Sequence, residues 1–280
     1  GSSIKSDVVD GSNFIGHFIA KAISQTNKIP VAFWYPDVFL GQWIKTSGFI
    51  AGFFGWVLEK FNLKMSADHF ISISKSTSYK LKKNGVPPNK ITVIPCGIEL
   101  AELGLKVNKS AMPTIICITR LVGYKRIKDL IFAYALIAKR NTKVRLTIIG
   151  RGPEEKKLRR ICSMLKISKK VKFLSNLPRK ELIRVLKSSF IFCLPSAVEG
   201  FGISIIEAAA AGIPYVISDI EVFKEITKNG QGGLIFKLGD IKNLSTKIER
   251  LLTDRNLYER KRLEAIRLSQ NYQWHDISIK

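Results

Sequence analysis

The sequence predicts an α/β protein built on parallel sheets, and three observations predict it. Short apolar runs of strand length alternate with amphipathic helical segments along the 280 residues. These runs are followed by Gly, Pro or polar residues, which are typical of strand ends. The chain is long enough for two modest domains, and its hydrophobic content of 46% is ordinary for a globular protein. We therefore expect parallel sheets covered by helices on both faces.

The N-terminal part, residues 1–107, shows a short version of this alternation. Strands are predicted at Asp7–Asp10 and Pro30–Trp34, and helices at Phe14–Ser24 and Lys75–Asn84. Residues 100–112 are polar and lack a strand pattern. We therefore predict a linker there and place the domain boundary between residues 107 and 108.

The segment Gly48–Leu58 is almost wholly apolar, and the sequence leaves two structures open for it. It is shorter than the ~20 residues that a membrane-spanning helix needs. It fits a helix buried against the sheet. It fits equally well an interfacial helix whose Phe and Trp side chains insert into a membrane surface.

Residues 108–280 are predicted to form a fuller Rossmann-like domain. Strands are predicted at Thr114–Thr119, Val144–Ile149, Val171–Phe173, Phe190–Leu194, Tyr215–Ile217 and Gly233–Phe236, with helices that include Ile127–Lys139, Glu154–Leu165 and Lys180–Lys187. Sheets of this kind bind ligands outside the carboxyl ends of their strands. Four residues that each follow a predicted strand are Arg120, Gly150, Leu177 and Glu199. We expect them at one edge of the sheet, around a ligand site.

The turn after the fourth predicted strand of this domain combines acids with a helix start. Glu199 lies in a glycine-flanked turn, and Glu207 follows about two helical turns later. Between them, the amides of Phe201, Gly202 and Ile203 open a helix, whose N-terminus favours an anion. Two acids around an amide cluster suit a sugar joined to a nucleotide diphosphate. On spacing alone, a βαβ crossover whose glutamates only solvate a helix end fits equally well.

This stretch resembles the donor-site signature of the retaining GT-B glycosyltransferases of family four. The shared pattern is Glu199, Gly200, Phe201 and Gly202, then four residues, then Glu207 and Ala208. Further segments resemble motifs of that family in the same order: Asp68–Ser74 and Ile91–Gly97 its last two strands before the interdomain linker, Thr119–Lys125 its Arg and Lys pair on the donor diphosphate, Ile148–Glu154 its strand-end glycine turn, and Val171–Leu177 its loop at the nucleotide base.

The resemblance implies a GT-B fold with two Rossmann-like domains and a retaining glycosyltransferase of the hexosyltransferase type. Such an enzyme moves a sugar from a nucleotide-diphosphate sugar to a lipid-linked or saccharide acceptor, as in glycan, polysaccharide or glycolipid biosynthesis. The resemblance makes Arg120, Lys125 and Glu199 the catalytic residues. The two cations would neutralise the leaving diphosphate, and Glu199 would hold hydroxyls of the transferred sugar. It implies no cofactor and no metal, because the cations are protein groups.

The resemblance also assigns residues that bind the donor. Glu207 would accept hydrogen bonds from the ribose hydroxyls, and the backbone at Gly150 and at Gly200–Ile203 would lie against the donor. Leu177 would contact the base, although core packing explains a leucine there nearly as well.

The chain departs from the family pattern mainly in its N-terminal domain, which the resemblance makes incomplete. No glycine-rich loop follows a first strand, and no histidine follows Pro30–Trp34. Position 126 is Arg where the family usually has glycine. These departures leave the donor half intact and put the acceptor half in doubt.

The charge of the chain is strongly positive and uneven. The formal net charge is +24, and residues 120–187 alone hold 21 basic and 4 acidic residues. Such an excess favours an anionic partner, such as a membrane leaflet, a nucleic acid or a phosphorylated substrate. A set of solvated helix faces explains it about as well. A nucleic-acid-binding protein is one alternative function, but the chain lacks a basic strand interleaved with aromatic residues, so we expect no nucleic acid. A non-catalytic nucleotide-sugar-binding protein is the other.

The cysteines and histidines give no sign of a disulfide framework or a metal centre. The four cysteines show no CxxC spacing, and the three histidines are far apart. We therefore expect buried thiols in a reducing compartment. No signal-peptide pattern is seen, so the predicted location is the cytoplasm, with peripheral binding to the cytoplasmic membrane face as an extension.

Overall fold

A computed structural model describes residues 6–99 and 107–278. The chain forms two compact units that meet between Cys96 and Gly97. Ile98 belongs with the second unit, because it pairs with Gln273 and donates its amide to the carbonyl of Tyr272 at 2.8 Å. The predicted linker at residues 100–112 lies mostly outside the described residues, as does the chain just before the boundary predicted after residue 107.

The first unit contains one parallel sheet of four strands. The strands are β1 (Val9–Ser12), β2 (Val31–Tyr35), β3 (His69–Ser72) and β4 (Ile91–Val93), in the order β1-β2-β3-β4. The helices are α1 (Asn13–Asn27), α2 (Trp43–Ser47), α3 (Phe49–Lys64) and α4 (Lys75–Lys83). Its core is centred on the buried side chains of Phe33, Phe70 and Leu81.

The second unit contains a parallel sheet of six strands. The strands are β5 (Thr114–Ile118), β6 (Arg145–Ile149), β7 (Val171–Leu174), β8 (Ile191–Leu194), β9 (Tyr215–Ser218) and β10 (Gly233–Phe236). The helices are α5 (Ile127–Arg140), α6 (Glu155–Met164), α7 (Arg179–Ser188), α8 (Ile203–Ala210), α9 (Glu221–Ile226), α10 (Ile241–Thr253), α11 (Arg255–Ser269) and α12 (Trp274–Ser278). The strand order is β10-β9-β8-β5-β6-β7.

The local sequence explains why these elements form. Every residue of β8 and β9 is buried, as expected for central strands covered on both faces. Helix α10 places Leu244, Ile248 and Leu251 at helical spacing on one buried face. The N-cap residue is Asp240, whose carboxylate accepts a hydrogen bond from the amide of Asn243 at 2.8 Å, a cap typically worth about 1 kcal/mol. Sequence pattern and tertiary packing therefore agree in this unit.

The order in which the chain adds strands to this sheet reverses at one point. From β5 the chain runs outward through β6 and β7, and it then returns to the other side of β5 to form β8, β9 and β10. The order reverses between β5 and β8, so the crossovers on either side diverge and leave a crevice beyond their carboxyl ends. The two loops that border this crevice follow Ile118 and Leu194.

Candidate functional site

The predicted strand-end residues lie at one edge of the second unit. Gly150 directly follows β6, and Arg120 lies two residues beyond β5. Leu177 lies in the loop after β7, and Glu199 in the loop after β8. Since β8, β5, β6 and β7 are neighbours in that order, the four residues share the carboxyl edge of the sheet. The structure thus confirms the shared edge that the sequence predicts.

A buried ion pair lies at the point where the strand order reverses. Lys125 ends a 3-10 turn in the loop after β5, and its Nζ lies 2.5 Å from Oε1 of Glu199. The two side chains are only 7% and 13% exposed. Ser196 donates its hydroxyl to the same Glu199 oxygen at 3.1 Å, and the amide of Ala197 donates to the carbonyl of Tyr124 at 2.8 Å. An ion pair and a backbone hydrogen bond therefore connect the two loops.

Tyr124 connects Arg120 to this pair. The exposed guanidinium of Arg120 donates from Nη2 to the Tyr124 hydroxyl at 2.7 Å. The Lys125 ammonium lies 5.2 Å from the centre of the Tyr124 ring, within the range of a cation–π contact. Tyr124 is a site residue that the sequence reasoning missed. The only feature of the sequence that pointed to it is the position of an aromatic residue between the two predicted cations, Arg120 and Lys125.

The backbone at Gly150 can be formed only by glycine. Its φ of +151° lies in the region that side chains disfavour, and a Cβ there would lie 1.8 Å from the carbonyl oxygen of Thr119. The Gly150 amide donates to the carbonyl of Leu174 at 2.9 Å. Glycine thus lets the ends of β5 and β6 approach closely and leaves room above them.

The predicted amide cluster opens α8 as expected. Gly202 is the residue before the helix, and Ile203, which is 37% exposed, is its first residue. The first amides of a helix have no partner within the helix and point outward along its axis. The ring of Phe201 is instead buried against Tyr272, with 5.7 Å between ring centres. Phe201 therefore offers a ligand its backbone, with Gly200 beside it in the same turn, and not its side chain.

Glu207 is paired with an arginine that the sequence reasoning missed. Nη1 of Arg179, the first residue of α7, lies 2.5 Å from Oε1 of Glu207. Glu207 is 12% exposed and Arg179 is 46% exposed, so the pair lies at the surface of the site. Leu177 is half-buried two residues before Arg179. The two residues are 28 positions apart in the sequence, and a local sequence pattern does not predict a contact over that distance.

A neutral thiol lies beneath the ion pair. Cys117 is fully buried, and burial raises the pKa of its thiol well above the ordinary value, while Lys125 lowers it and Glu199 raises it by smaller amounts. Cys117, Cys162 and Cys193 are buried and Cys96 is half-buried, and all four are free. The predicted buried thiols are therefore found for three of the four cysteines.

Among the described residues, no group of three or more His, Cys, Asp or Glu side chains is arranged to hold a metal ion. Metal independence stays a prediction. Within residues 6–99 and 107–278, no helix combines the length and the hydropathy needed to cross a bilayer.

Two family models together match nearly the whole chain. Residues 106–267 match the model described as glycosyl transferases group 1. Residues 3–102 match the model described as glycosyltransferase family 4.

The chain is also similar in sequence to curated proteins and in fold to solved structures. The chain is 30% identical over 237 residues to the Campylobacter jejuni N,N'-diacetylbacillosaminyl-diphospho-undecaprenol alpha-1,3-N-acetylgalactosaminyltransferase, a match covering 78% of this chain and 60% of that protein. It is 26% identical over 282 residues to glycogen synthase of Mycobacterium tuberculosis, covering 99% and 67%. The Anabaena HepE structure in complex with UDP-glucose superposes with a TM-score of 0.85 at 18% identity, covering 98% and 76%. The chain thus spans less than two thirds of the Campylobacter relative, and the predicted α/β, GT-B fold is confirmed.

Proposed function

The chain belongs to the glycosyl transferases group 1 family, and we propose that it moves a sugar from a nucleotide-diphosphate sugar to a lipid-linked or saccharide acceptor with retention of configuration. The observation that carries this proposal is the buried Lys125–Glu199 pair at the point where the strand order reverses. A crevice at that point is where parallel sheets of this kind bind their ligands.

In the proposed reaction, the bond between the anomeric carbon and the β-phosphate oxygen breaks. A bond to the acceptor hydroxyl oxygen forms on the same face of the sugar, and the hydroxyl proton passes to the departing phosphate. Negative charge therefore grows on the diphosphate in the transition state. Fixed cations aimed at that charge lower the barrier, because they need no reorganisation as it develops.

Lys125 and Arg120, which both contact Tyr124, would supply those cations. An ammonium group has three donors, so Lys125 can hold Glu199 and still donate to a phosphate oxygen. Arg120 is exposed and presents a planar fork of donors that suits phosphate. The outward amides at Ile203 would add further donors at the start of α8.

Glu199 and Glu207 would recognise the two ends of the donor. Glu199 lies beside the diphosphate cations, where it would accept hydroxyls of the transferred sugar. Glu207, held by Arg179 one helix away, would accept both ribose hydroxyls. The base would then lie near the loop that contains Leu177.

A binding screen tests this proposal directly. Thermal melts of the full chain would be recorded with a panel of nucleotide diphosphates and their sugar derivatives. A ligand at 100 times its Kd stabilises a protein by about 2.7 kcal/mol, which gives a clear shift in Tm. We expect one base to be favoured and its diphosphate to bind without added metal. No shift with any member of the panel would contradict the proposal.

We further propose that the protein works peripherally at a cytoplasmic membrane face. The Campylobacter relative is named for an undecaprenol-linked acceptor, and the net charge of +24 suits an anionic surface. A saccharide acceptor away from any membrane is the second candidate, favoured by the similarity to glycogen synthase. Transfer of labelled sugar to a lipid extract or to a soluble glucan separates the two.

A further inference from the structure

We infer that Tyr124 is a positioning residue, which holds the guanidinium of Arg120 in place for the diphosphate of the donor. The inference rests on the proposed function, because it takes Arg120 and Lys125 as the cations that meet the diphosphate. It adds the residue that fixes their arrangement before the donor binds. Tyr124 acts through Arg120 and is given no contact with the reacting atoms.

Tyr124 contacts three parts of the site through three different groups. Its hydroxyl accepts a hydrogen bond from Nη2 of Arg120 at 2.7 Å. The centre of its ring lies 5.2 Å from the ammonium of Lys125. Its backbone carbonyl accepts a hydrogen bond from the amide of Ala197 at 2.8 Å, in the loop that contains Glu199. One residue thus connects both cations and the loop of the site glutamate.

The backbone that carries the Tyr124 ring is itself fixed. Tyr124 is the middle residue of the 3-10 turn Gly123–Lys125. Within this turn the amide of Lys125 donates to the carbonyl of Val122 at 3.0 Å, and the hydrogen bond from Ala197 ties the turn to the neighbouring loop. The ring is half-buried, and a tyrosine side chain has few rotamers. The hydroxyl therefore lies at a defined point, from which it can restrain a longer side chain.

Arg120 needs such a restraint more than Lys125 does. Lys125 is buried, and its ammonium lies 2.5 Å from a carboxylate oxygen of Glu199. Arg120 is exposed, and the hydrogen bond to the Tyr124 hydroxyl ties its guanidinium to the turn. An unrestrained arginine has many rotamers, and their loss on binding opposes the contact with the ligand. A guanidinium that is already held loses less freedom when it meets a phosphate.

The chemistry of the hydroxyl suits this role because it restrains Arg120 without cancelling its charge. A tyrosine hydroxyl is uncharged at neutral pH. A carboxylate partner, such as the one that Asp129 gives Arg126 at 2.6 Å, offsets the positive charge of the guanidinium. A guanidinium has five N–H donors, so one bond to Tyr124 leaves others that suit a phosphate. Arg120 therefore keeps both its charge and its donors for the ligand.

The ring and the hydroxyl of Tyr124 restrain different cations. The ring face attracts the ammonium of Lys125, since their separation is within the range of a cation–π contact. The hydroxyl contacts only the guanidinium side of the arrangement, through Nη2 of Arg120. Replacing Tyr124 by Phe removes the second restraint and keeps the first. The two restraints can therefore be separated by experiment.

Calorimetry on Tyr124→Phe tests the inference. The full chain would be titrated with UDP, GDP, ADP, CDP and dTDP, and the tightest binder would then be titrated into the variant. We expect its affinity to fall roughly tenfold, the cost of ordering one long side chain on binding. Thermal melts should show an unchanged Tm. The matched control is Tyr258→Phe, which removes a hydroxyl that donates to the carbonyl of Phe190 at 3.2 Å, at the opposite end of β8, and should leave affinity unchanged.

A double-mutant cycle distinguishes positioning from a general structural role. Because the hydroxyl acts through Arg120, Tyr124→Phe should weaken binding no further in the Arg120→Ala background. The nucleoside without phosphates should bind the wild-type chain and Tyr124→Phe equally well. The same tenfold loss in the Arg120→Ala background would overturn the inference, and so would an equal loss of affinity for the nucleoside.

The positioning inference and the proposed function fail in distinguishable ways. If the wild-type chain binds a nucleoside diphosphate and Tyr124→Phe binds it with the same affinity, the positioning role alone is overturned. If the wild-type chain binds none of the five diphosphates and none of their sugar derivatives, the proposed function is overturned, and the inference falls with it. The wild-type titrations therefore decide the function, and the comparison with the variant decides the role of Tyr124.

Discussion

The two units share a parallel α/β plan but differ in what they bury. In the described part of the first unit, fifteen large apolar side chains are exposed, against six in the longer second unit. Among the described residues of the first unit, the buried hydroxyl of Tyr35 has no hydrogen-bond partner. The second unit has a larger buried apolar core, and its Lys125–Glu199 ion pair lies at the carboxyl edge of its sheet. The ion pairs of the candidate site therefore lie in the second unit.

Two glutamates, Glu59 in the first unit and Glu199 in the second, differ in the groups that surround their carboxylates. Glu199 faces the ammonium of Lys125, so its charge is matched inside the site. Glu59 faces two neutral N–H donors, and burial raises the pKa of its carboxyl to about 7. The hydrogen bonds from Phe39 and Trp43 lower that pKa, but by less than burial raises it. Lys125 thus matches the charge of Glu199, whereas Glu59 accepts hydrogen bonds from neutral groups that fix the position of α3.

The largest expected effect comes from removing the two site cations. Lys125→Ala and Arg120→Ala should each lower turnover roughly 100-fold or more, as the loss of one fixed donor typically does. Lys125→Ala should also lower the free energy of unfolding by about 3–5 kcal/mol, because it leaves Glu199 buried without its cation. Arg120 is exposed, so its variant should melt normally. Steady-state rates and thermal melts check both, with Lys128→Ala, an exposed lysine of α5, as the control. Nearly normal rates in both variants would place the diphosphate elsewhere.

The second prediction concerns pH and the first unit. Because the pKa of Glu59 is higher in the folded chain than in the unfolded chain, its contribution to stability is complete below about pH 4.5 and is lost as pH rises through about 7. The loss amounts to about 3 kcal/mol. Glu59→Gln cannot ionise and should remove this loss, so in denaturant melts the free energy of unfolding of the wild-type chain should fall relative to that of the variant as pH rises. The contribution of His17, whose pKa burial lowers, is common to both. Parallel pH profiles would show that Glu59 does not titrate there.

The third prediction separates the two acids of the site. Glu207→Ala should weaken binding of the free nucleotide by about 1.5–3 kcal/mol, because two hydroxyls lose a charged acceptor. Glu199→Ala should slow transfer and leave free-nucleotide affinity almost unchanged, since its partner is the sugar. Calorimetry and initial rates measure the two effects. An equal collapse of nucleotide affinity in both variants would mean that the two roles are wrongly assigned.

The smallest expected effect concerns Arg179. Its pair with Glu207 is partly exposed, so Arg179→Ala should raise the KM for the donor only about threefold to fivefold and leave kcat unchanged. Arg179→Lys should recover part of the loss. Arg184, further along α7, pairs with Glu181 at 3.3 Å, and Arg184→Ala is the matched control. A fall in kcat or Tm without a change in KM would make Arg179 a structural residue.

Most of the fold of the second unit could be predicted from the sequence, because its strands are continuous apolar runs and the candidate site residues follow the ends of those runs. The side-chain contacts that depend on tertiary packing could not be predicted. Arg179 reaches Glu207 only because α7 and α8 are brought together, and the Phe201 ring turns into the core. Arg126, where the family pattern has glycine, adopts a φ of +52° and pairs with Asp129 at 2.6 Å. That conformation costs a non-glycine residue about 1–2 kcal/mol, which the ion pair helps to offset.

The first unit shows where sequence periodicity fails. In Gly48–Leu58 nearly every position is apolar, so the sequence does not distinguish a buried helix from an interfacial one. The structure shows an exposed apolar face, because Gly52, Glu59, Asn62 and Leu63 form the buried side of the helix. Close helix contact and two hydrogen bonds to one carboxylate decide the orientation.

Backbone amide hydrogen exchange with and without the preferred sugar nucleotide tests the central claim most directly. The claim is that the carboxyl edge of the second unit binds the donor. We predict slower exchange in the loop Thr119–Lys125 and across Glu199–Glu207, with no change in α1 and α3. Slowing confined to the first unit, or no slowing anywhere at saturating ligand, would contradict the account.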